Sequence, residues 1–339
     1  MAAQIFGLDI GRSFIKVVQV KISGSSRSLV AVGSAATPGA GLRSEVKPEL
    51  KQLAETIKTL VKNSKIHSNK CTVSIVEAQA VTRLIELPNL TDKELSAAIN
   101  FEADQYIPLP IKDVNLQYKV LSRPQPGSGG KMAVLLVAAP KRVIEKYLEV
   151  VKMSGFSLSA VETESSSLAR ALSNKNDPPS LIVSMGASST ELVLIKEGNV
   201  FFTRSIASGG AALTKAIMTE FNLASNQAEE YKMAYGILED KLSGKIARIL
   251  RPVLEVVTTE ILKAIDYARS HMGDQRLSGV VICGGSAYLP GLAEFVTEKT
   301  SVEVSLGDPW ANFAKEGLIL KMPGQGSFYS IATGLALRT

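Results

Sequence analysis

Apolar and polar positions follow the same order in two parts of the chain, residues 5–34 and 181–206. In each part a strand pattern is followed by a glycine turn, a second strand, a short polar turn and a third strand, which predicts two antiparallel meanders. When Gly11 is aligned with Gly186, Lys16 falls on Glu191. Because the meanders lie about half a chain apart, they predict two related domains, although unrelated meanders can also look alike.

Periodic apolar residues predict helices after each meander. In the first half they recur at helical spacing at Leu50, Leu53, Ile57, Leu60 and Val61. In the second half the predicted helices cover 212–221, 227–235 and 246–271, and a strand at 277–283 precedes another helix. This alternation of strands and helices predicts an α/β fold.

The segment between the two halves has a pattern of its own. Thr91 and Glu94 form a capping-box sequence at the start of a helix, and the prolines of the segment 107–111 (IPLPI) end that helix. Strands are predicted at 114–121 and 132–138, and a helix at 141–153. The segment therefore predicts a small inserted subdomain.

Composition and charge narrow the classes of function. The 339 residues are 45% hydrophobic and 21% charged, with a net charge of +6 and no basic run interleaved with aromatic residues, so we expect no nucleic-acid partner. Two cysteines (Cys71 and Cys283) and two histidines (His67 and His271) lack metal-ligand spacing, which argues against a disulfide scaffold or a zinc site. No stretch approaches the ~20 apolar residues of a membrane span, so we expect no direct span.

The first glycine turn carries residues suited to a phosphate and its metal. Backbone N–H groups and small side chains allow close approach of a phosphate, and magnesium prefers carboxylate and water ligands. The turn offers Gly11, Arg12 and Ser13 for the phosphate, Asp9 for the metal, and Lys16 close by. A plain hairpin explains this short D-x-G-x-S pattern equally well.

Three further segments are candidates for the same ligand. The second turn consists of small and hydroxylic residues, namely Gly186, Ala187, Ser188, Ser189 and Thr190. The strand at 277–283 ends in Gly284, Gly285 and Ser286, which permit close approach of a flat group. On the helix 227–235, Glu229 and Lys232 share a face and suit a ribose hydroxyl, although an exposed ion pair is an equal alternative.

Taken in order, these segments resemble the actin-like ATPase superfamily, which includes actin, the 70-kDa chaperones, sugar kinases, MreB and FtsA. The resemblance implies two related domains around a cleft that holds ATP and Mg2+. On this basis the first domain covers 1–83, completed by 160–179 and 325–339. The inserted subdomain covers 84–159, and the second domain covers 180–324, with a helical part at 222–276.

The insertion is similar to that of the FtsA branch, and four segments resemble the PilM family of type IV pilus assembly proteins. They are the opening GLDIG (7–11) and the segments 101–121, 202–206 (FTRSI) and 334–338 (GLALR). The resemblance implies a cytoplasmic protein, peripheral at the membrane, that binds ATP and the N-terminal cytoplasmic tail of a PilN-like membrane protein. Contacts with other proteins of the pilus assembly platform, and self-association, are also implied as possible.

The resemblance assigns a role to each candidate residue. Asp9 faces the metal, Gly11, Arg12 and Ser13 contact phosphate with Lys16 nearby, and Gly186 to Thr190 form the second phosphate turn. Gly209 and Gly210 approach the nucleotide, Glu229 and Lys232 meet the sugar, and Gly284, Gly285 and Ser286 line the adenosine pocket. Glu164, on the helix that links the domains, is the acid left to orient water, although it can equally serve to cap or solvate that helix.

One departure from the superfamily pattern affects the expected activity. The second turn usually reads D-x-G, but Ser184 stands at the acidic position. A neutral hydroxyl holds a metal-bound water more weakly than a carboxylate and is not a base near pH 7. We therefore expect ATP binding with slow or absent hydrolysis.

Two other functions fit the same fold. An FtsA-like division protein needs an amphipathic membrane anchor, and we expect none here because the chain ends directly after a predicted packed helix at 328–337. A small-molecule kinase needs a positioned base for its substrate hydroxyl, and Ser184 removes one usual support for such a base.

Overall fold

A computed structural model describes residues 5–125, 129–272 and 275–338 of the protein. Its strands form two five-stranded sheets and one three-stranded sheet. The strands are β1 (Phe6–Ile10), β2 (Phe14–Ser23), β3 (Ser26–Ala36), β4 (Lys70–Ile75), β5 (Val81–Pro88), β6 (Val114–Ser122), β7 (Lys131–Pro140), β8 (Ser157–Thr163), β9 (Ser180–Met185), β10 (Thr190–Lys196), β11 (Asn199–Ile206), β12 (Val280–Cys283) and β13 (Val304–Leu306).

Apart from the short helix α9, which was not predicted, the helices lie where the sequence predicts them, with bounds that differ by a few residues. They are α1 (Lys47–Asn63), α2 (Asp92–Asp104), α3 (Lys141–Met153), α4 (Glu164–Leu172), α5 (Gly210–Phe221), α6 (Ser225–Tyr235), α7 (Lys245–His271), α8 (Leu292–Thr300), α9 (Leu318–Lys321) and α10 (Ser330–Ala336). None of the helices within the described ranges is long and apolar enough to cross a bilayer.

The two large sheets have the same topology. Their strand orders are β3-β2-β1-β4-β8 and β11-β10-β9-β12-β13, and in each an antiparallel meander is followed by two parallel strands. The registers are also equivalent, since Asp9 pairs with Lys16 and Ser184 pairs with Glu191. The internal alignment of Gly11 with Gly186 is therefore confirmed.

Each large sheet has its own core. Apolar residues of β1, β2 and β4 pack against α1 and α3 in the first half. In the second half, β9, β10 and β12 pack against α5, α6 and α7, and Leu213, Leu250 and Ile261 lie fully buried between them. The central strands β1 and β9 end directly before Gly11 and Gly186, and α/β proteins bind ligands outside the carboxyl ends of such strands.

The inserted unit is shorter than the predicted range 84–159 and begins slightly earlier, because β5 starts at Val81 and β7 ends at Pro140. It consists of β5, β6, β7 and α2, in the sheet order β5-β7-β6. The predicted range also took in α3 and β8, but α3 packs into the first core and β8 pairs with β4 in the first sheet. The predicted capping box is present, because Thr91 Oγ1 accepts from Glu94 N at 3.3 Å while Glu94 Oε2 accepts from Thr91 N at 2.8 Å.

The inserted unit also contacts the second half. Leu135 of β7 belongs to one buried cluster with Leu168 of α4 and with Val193 and Val200 of the second sheet. Lys119 Nζ donates to Asn199 Oδ1 at 2.8 Å across the same boundary. The insert is therefore packed against both α4 and the second sheet.

Close backbone contacts fix the last helix against the first sheet and α4. A side chain at Gly7 would overlap the carbonyl of Ala332, so α10 lies directly on β1. Two arginines bracket Glu162, with Arg170 Nη1 and Arg338 Nη1 each 2.6 Å from a carboxylate oxygen. The predicted helix at 328–337 begins two residues later, at Ser330. Arg170 Nη1 also donates to the carbonyl of Gly334 at 2.7 Å, which ties α10 to α4, and Arg338 ties the end of the chain to β8.

Candidate functional site

The two glycine turns have the same hydrogen bond. Gly11 N donates to Phe14 O at 3.0 Å, and Gly186 N donates to Ser189 O at 2.9 Å. Each turn follows the carboxyl end of a central strand, β1 or β9. The duplicated fold therefore presents two equivalent turns at corresponding positions of its two sheets.

The first turn presents a buried ion pair and an exposed loop. Asp9 is 2% exposed, and its Oδ2 lies 2.7 Å from Lys16 Nζ on β2. Arg12 and Ser13 are exposed, and Arg12 Nη1 donates to the carbonyl of Gly39 at 3.0 Å. Lys16 thus neutralises Asp9 in this structure and remains close enough to the turn to meet a second negative group.

The second turn is joined to the start of α5. The carbonyl of Gly186 accepts from Gly210 N at 2.9 Å, and the carbonyl of Ala187 accepts from Ala211 N at 2.8 Å. A Cβ on Gly209 would lie 2.6 Å from Gly186 O, so this approach requires glycine. The structure therefore brings the predicted residues Gly186, Ala187, Gly209 and Gly210 together. The remaining residues of the turn are the exposed Ser188, the half-buried Ser189 and the buried Thr190.

Lys232 fastens helix α6 to this loop. Lys232 is 4% exposed, and its ammonium donates to Glu229 Oε2 at 2.7 Å, Thr214 Oγ1 at 3.0 Å and the carbonyl of Gly210 at 3.3 Å. Glu229 keeps half of its side chain exposed. Lys232 therefore positions Glu229 and the glycine pair, and Glu229 is the member of the pair with access to a ligand.

The loop after β12 contacts the second turn. Gly284 has a φ of +89°, and a Cβ there would lie 2.7 Å from Met185 O. Ser286 Oγ donates to Gly186 O at 3.4 Å, and a Cβ on Gly285 would touch the Phe328 ring at 3.6 Å. The predicted residues of 284–286 therefore lie beside the second turn.

Phe328 connects this loop to the first turn. Its ring lies 5.5 Å from that of Phe14, edge to face, and Lys16 Nζ lies 4.7 Å from its centroid. Phe328 was predicted only as part of the packed helix at 328–337, and its place beside the first turn was not predicted. Its aromatic type alone would not have identified it, because it reaches the site from the far end of the chain.

Four carboxylates and one lysine interact between the halves. Burial raises the pKa of Glu164 well above its usual range, the charges of Asp9, Glu191 and Glu77 raise it further, and Lys16 opposes them. Burial also raises the pKa of Glu191 to about 7, against smaller effects of the Ser205 and Ser189 hydroxyls. Asp9 and Glu164 were predicted, whereas Glu77 and Glu191 were not proposed as site residues. The internal alignment of Lys16 with Glu191 was the signal that pointed to the latter.

Ser184 occupies the position equivalent to Asp9. It is 5% exposed, and its hydroxyl and that of Ser330 hydrogen-bond to the Cys283 thiol, whose pKa burial raises to about 12. A second carboxylate is thus absent from the inner strand of the second half, and Glu191 follows on the neighbouring strand.

The donor set fits a magnesium ion held mainly by phosphate and water. Within the described residues, no group of three or more histidine, cysteine or acidic side chains forms a metal site. However, Glu77 Oε1 and Glu191 Oε2 are buried without a hydrogen-bond partner in the described part of the chain. Magnesium bound to a nucleotide usually keeps several waters and takes one or two carboxylates, which matches this set.

A cavity of about 570 Å³ lies elsewhere, between β3 and α1, and is lined by mostly polar residues such as Gln52, Thr56 and Asn63. It contains none of the predicted site residues. We therefore locate the candidate site from the turns, glycine pairs and carboxylates at the strand ends, and not from the position of this cavity.

Several known proteins are similar to this chain in sequence or in fold. The cell division protein FtsA of Streptococcus pneumoniae is 21% identical over 342 residues, covering 89% of this chain and 75% of FtsA. A solved PilM-PilN type IV pilus biogenesis complex superposes with a TM-score of 0.84 at 28% identity, covering 99% of this chain and 98% of the matched one. MreB5 of Spiroplasma citri bound to AMPPNP superposes with a TM-score of 0.53 at 12% identity, over 98% of this chain and 95% of MreB5.

These neighbours show that the fold is the actin-like ATPase fold, with the two related domains that the meanders predict. The model of the family described as type IV pilus assembly protein PilM matches residues 7–339. This match covers nearly the whole chain, including the insertion. The protein therefore belongs to the PilM family of type IV pilus assembly proteins.

Proposed function

We propose that this protein binds ATP with Mg2+ between its two duplicated halves and, in type IV pilus assembly, holds the N-terminal cytoplasmic peptide of a PilN-like membrane protein. The observation that carries the proposal is the convergence of two register-equivalent turns on one cluster of charged groups. The AMPPNP-bound MreB5 neighbour supports a nucleotide, and the PilM-PilN complex supports the partner.

The residues divide into groups by the part of the nucleotide they suit. Gly11, Arg12 and Ser13 face the phosphates from one half and Gly186 to Thr190 from the other, where small residues leave the backbone accessible. Lys16 is placed to exchange its contact with Asp9 for a phosphate, leaving Asp9 for the metal. Glu229 meets the sugar, and Gly285 with Phe328 provides a flat surface for the base.

Hydrolysis is slow or absent in this proposal. A general base must be ionised at the working pH, but burial and neighbouring carboxylates raise the pKa of Glu164 well above its usual range. Ser184 removes the acid that would otherwise assist from the second turn. When bound, magnesium neutralises phosphate charge, and the residues of the chain position the nucleotide without activating water.

The inserted unit supplies the surface for the peptide. Phe101 is 74% exposed on α2, and Tyr106, Leu109 and Tyr118 are also exposed on this unit. Strand β6 forms one edge of its sheet, so its outer backbone groups can pair with an added strand. The segment 107–111 forms one wall of this apolar edge, and an extended peptide would bind with alternate side chains against it.

The proposal also places the protein in the cytoplasm, held at the inner face of the membrane through its partner. Contacts with other platform proteins and self-association belong to the same proposal, because a bound membrane tail would concentrate copies of this protein beside them.

Calorimetric titration tests the proposal directly. The protein is titrated with ATP and Mg2+, and then with a synthetic N-terminal peptide of the PilN-like protein encoded beside it, with and without the nucleotide. We expect saturable binding of both ligands, with no heat from a scrambled peptide of the same composition. Phe101→Ala should weaken the peptide at least tenfold and leave ATP binding unchanged. Absence of binding by ATP, or by the peptide in either state, would refute the corresponding half of the proposal.

A phosphate-release assay tests the expectation of slow hydrolysis. We expect turnover slower than one ATP per minute for the wild-type protein with Mg2+, and a measurable increase in Ser184→Asp. Fast turnover that Ser184→Asp does not alter would contradict this part of the proposal.

A further inference from the structure

The two sheets carry their charged residues on different strands at equivalent positions. In the first half the acid Asp9 is on the inner strand and the base Lys16 is opposite it on β2. In the second half Ser184 is on the inner strand and the acid Glu191 is opposite it on β10. Residues directly opposite in an antiparallel pair project from the same face of the sheet, on strands about 4.8 Å apart. Glu191 therefore projects from the same face as Ser184, displaced by one strand.

Glu191 is incompletely satisfied where it lies. The residue is 3% exposed, and its Oε1 accepts from Ser205 Oγ at 2.8 Å. Among the described residues Oε2 has no hydrogen-bond partner. A buried carboxylate oxygen without a partner is costly, so it favours a proton, a cation or a cation-bound water at that position.

The surroundings of Glu191 are those of the cleft. The charge of Glu77 raises the pKa of Glu191, and the charges of Asp9 and Glu191 both raise the pKa of Glu164. Glu191 thus faces the same charged cluster as the acid of the first turn. Its own turn is the one that approaches the start of α5 through Gly186 and Ala187.

We propose that Glu191 supplies, from β10, the carboxylate that the second turn lacks at Ser184, and that it holds a water of the nucleotide-bound magnesium ion. This inference rests on the proposed nucleotide site. Glu191 acts here as a positioning residue for the metal, whereas Asp9 keeps the direct approach from the first half. A carboxylate one strand further from the inner position can retain the metal without assisting attack by water, which is consistent with tight binding and slow hydrolysis.

The test measures how much Mg2+ improves ATP binding. ATP is titrated calorimetrically into the full-length protein once with excess Mg2+ and once with EDTA, and the ratio of the two affinities is the readout. In Glu191→Gln we expect this ratio to fall at least fivefold while the affinity for metal-free ATP is unchanged or slightly higher, because a carboxylate that repels phosphate has been removed. Glu220→Gln, at the exposed far end of α5, makes the same change of charge away from the site and should leave the ratio unchanged.

A double variant moves the carboxylate back across the strand pair. Ser184→Asp combined with Glu191→Gln should restore most of the lost ratio, whereas a purely structural role for Glu191 predicts no such rescue. Glu191→Asp keeps the charge but shortens the side chain, so the ratio of ATP affinities with and without Mg2+ should fall by less than in Glu191→Gln. This variant replaces Glu191→Gln in the test if Glu191→Gln fails to fold. An equal Mg2+ effect in wild type and in a folded Glu191→Gln protein would overturn this inference while leaving the nucleotide site intact. Wild-type protein that binds no ATP in either buffer would overturn the site itself.

Discussion

Gly209 shows how single residues set the shape of the candidate site. The carbonyls of Gly186 and Ala187 would lie 2.6 and 2.9 Å from a Cβ at this position, and neither backbone oxygen can move without disturbing the second turn. Gly285 differs, because a Cβ there meets only the Phe328 ring at 3.6 Å, an ordinary contact. Position 209 therefore requires glycine because the backbone of the second turn is too close for a side chain, whereas position 285 has room for a methyl group beside the Phe328 ring.

Replacing Gly209 should damage both stability and nucleotide binding. We expect Gly209→Ala to lower the free energy of unfolding by about 1–3 kcal/mol, the usual cost of overpacking, and to weaken ATP binding at least tenfold. Urea unfolding and calorimetry measure the two effects. Gly285→Ala is the control and should change stability by less than about 1 kcal/mol. Equal stability losses in both variants would contradict the contact as described.

Glu191 should make stability depend on pH in the absence of metal and nucleotide. Its pKa rises from 4.5 to about 7 on folding, so the neutral form contributes stability that is complete below pH 4.5 and is lost as the pH rises through 7. Glu191→Gln removes this loss, and at pH 8 it should be more stable than wild type by on the order of 3 kcal/mol. Urea unfolding at pH 4.5 and pH 8 measures the difference, which should nearly vanish at the lower pH. A constant difference across this range would contradict the shift.

The residues that the sequence could identify are those whose chemistry is local. A glycine turn after a strand can be recognised from the residues next to it in sequence, as at Gly11 and Gly186. Glu77 and Phe328 could not be found in this way, because each reaches the site from a distant part of the chain and neither belongs to a motif. Lys232 was identified, but its enclosure by Glu229, Thr214 and Gly210 depends on how α5 and α6 pack.

At the scale of elements, local signals predicted what each segment forms but not which sheet it joins. The meanders, α2 and α7 followed from periodicity and from turn residues. The bounds of the insert did not, since α3 and β8 belong to the first half through contacts with α1 and β4. Hydrophobic spacing shows that a helix has a buried face but does not show which sheet covers that face.

The capping box of α2 offers a test confined to the insert. Thr91→Ala removes the hydroxyl that accepts from Glu94 N, and we expect a loss of about 1 kcal/mol in the local stability of α2. Hydrogen exchange followed by mass spectrometry should show faster exchange in residues 92–104. Exchange in α1 and α7 provides the internal control and should not change. Uniform acceleration across the protein would instead mean that the insert and both halves unfold as one unit.

At the scale of the whole molecule, α4 connects the insert to the proposed nucleotide site. Glu164 begins this helix at the charged cluster, and Glu77 Oε2 accepts from Ser165 N at 3.3 Å in its first turn. Further along, Leu168 belongs to one buried cluster with Leu135 of the insert and Val193 of the second sheet. A nucleotide that shifts the two halves would therefore change the conformation of the insert through packed side chains. By linkage, if the nucleotide changes the affinity of the insert for a peptide, the peptide must change the affinity for the nucleotide by the same factor.

Leu135 and Leu136 separate this coupling from simple destabilisation. They are adjacent on β7, but Leu135 belongs to the cluster shared with α4, whereas Leu136 lies in the core of the insert itself. Truncation of either leucine to alanine should cost about 2–5 kcal/mol of stability. We expect only Leu135→Ala to reduce the effect of ATP on peptide affinity, measured by titrating the peptide with and without ATP and Mg2+. If Leu136→Ala reduces that effect as much, coupling runs through the general stability of the insert and not through α4. The comparison thus decides whether the nucleotide reaches the partner surface along a defined set of contacts.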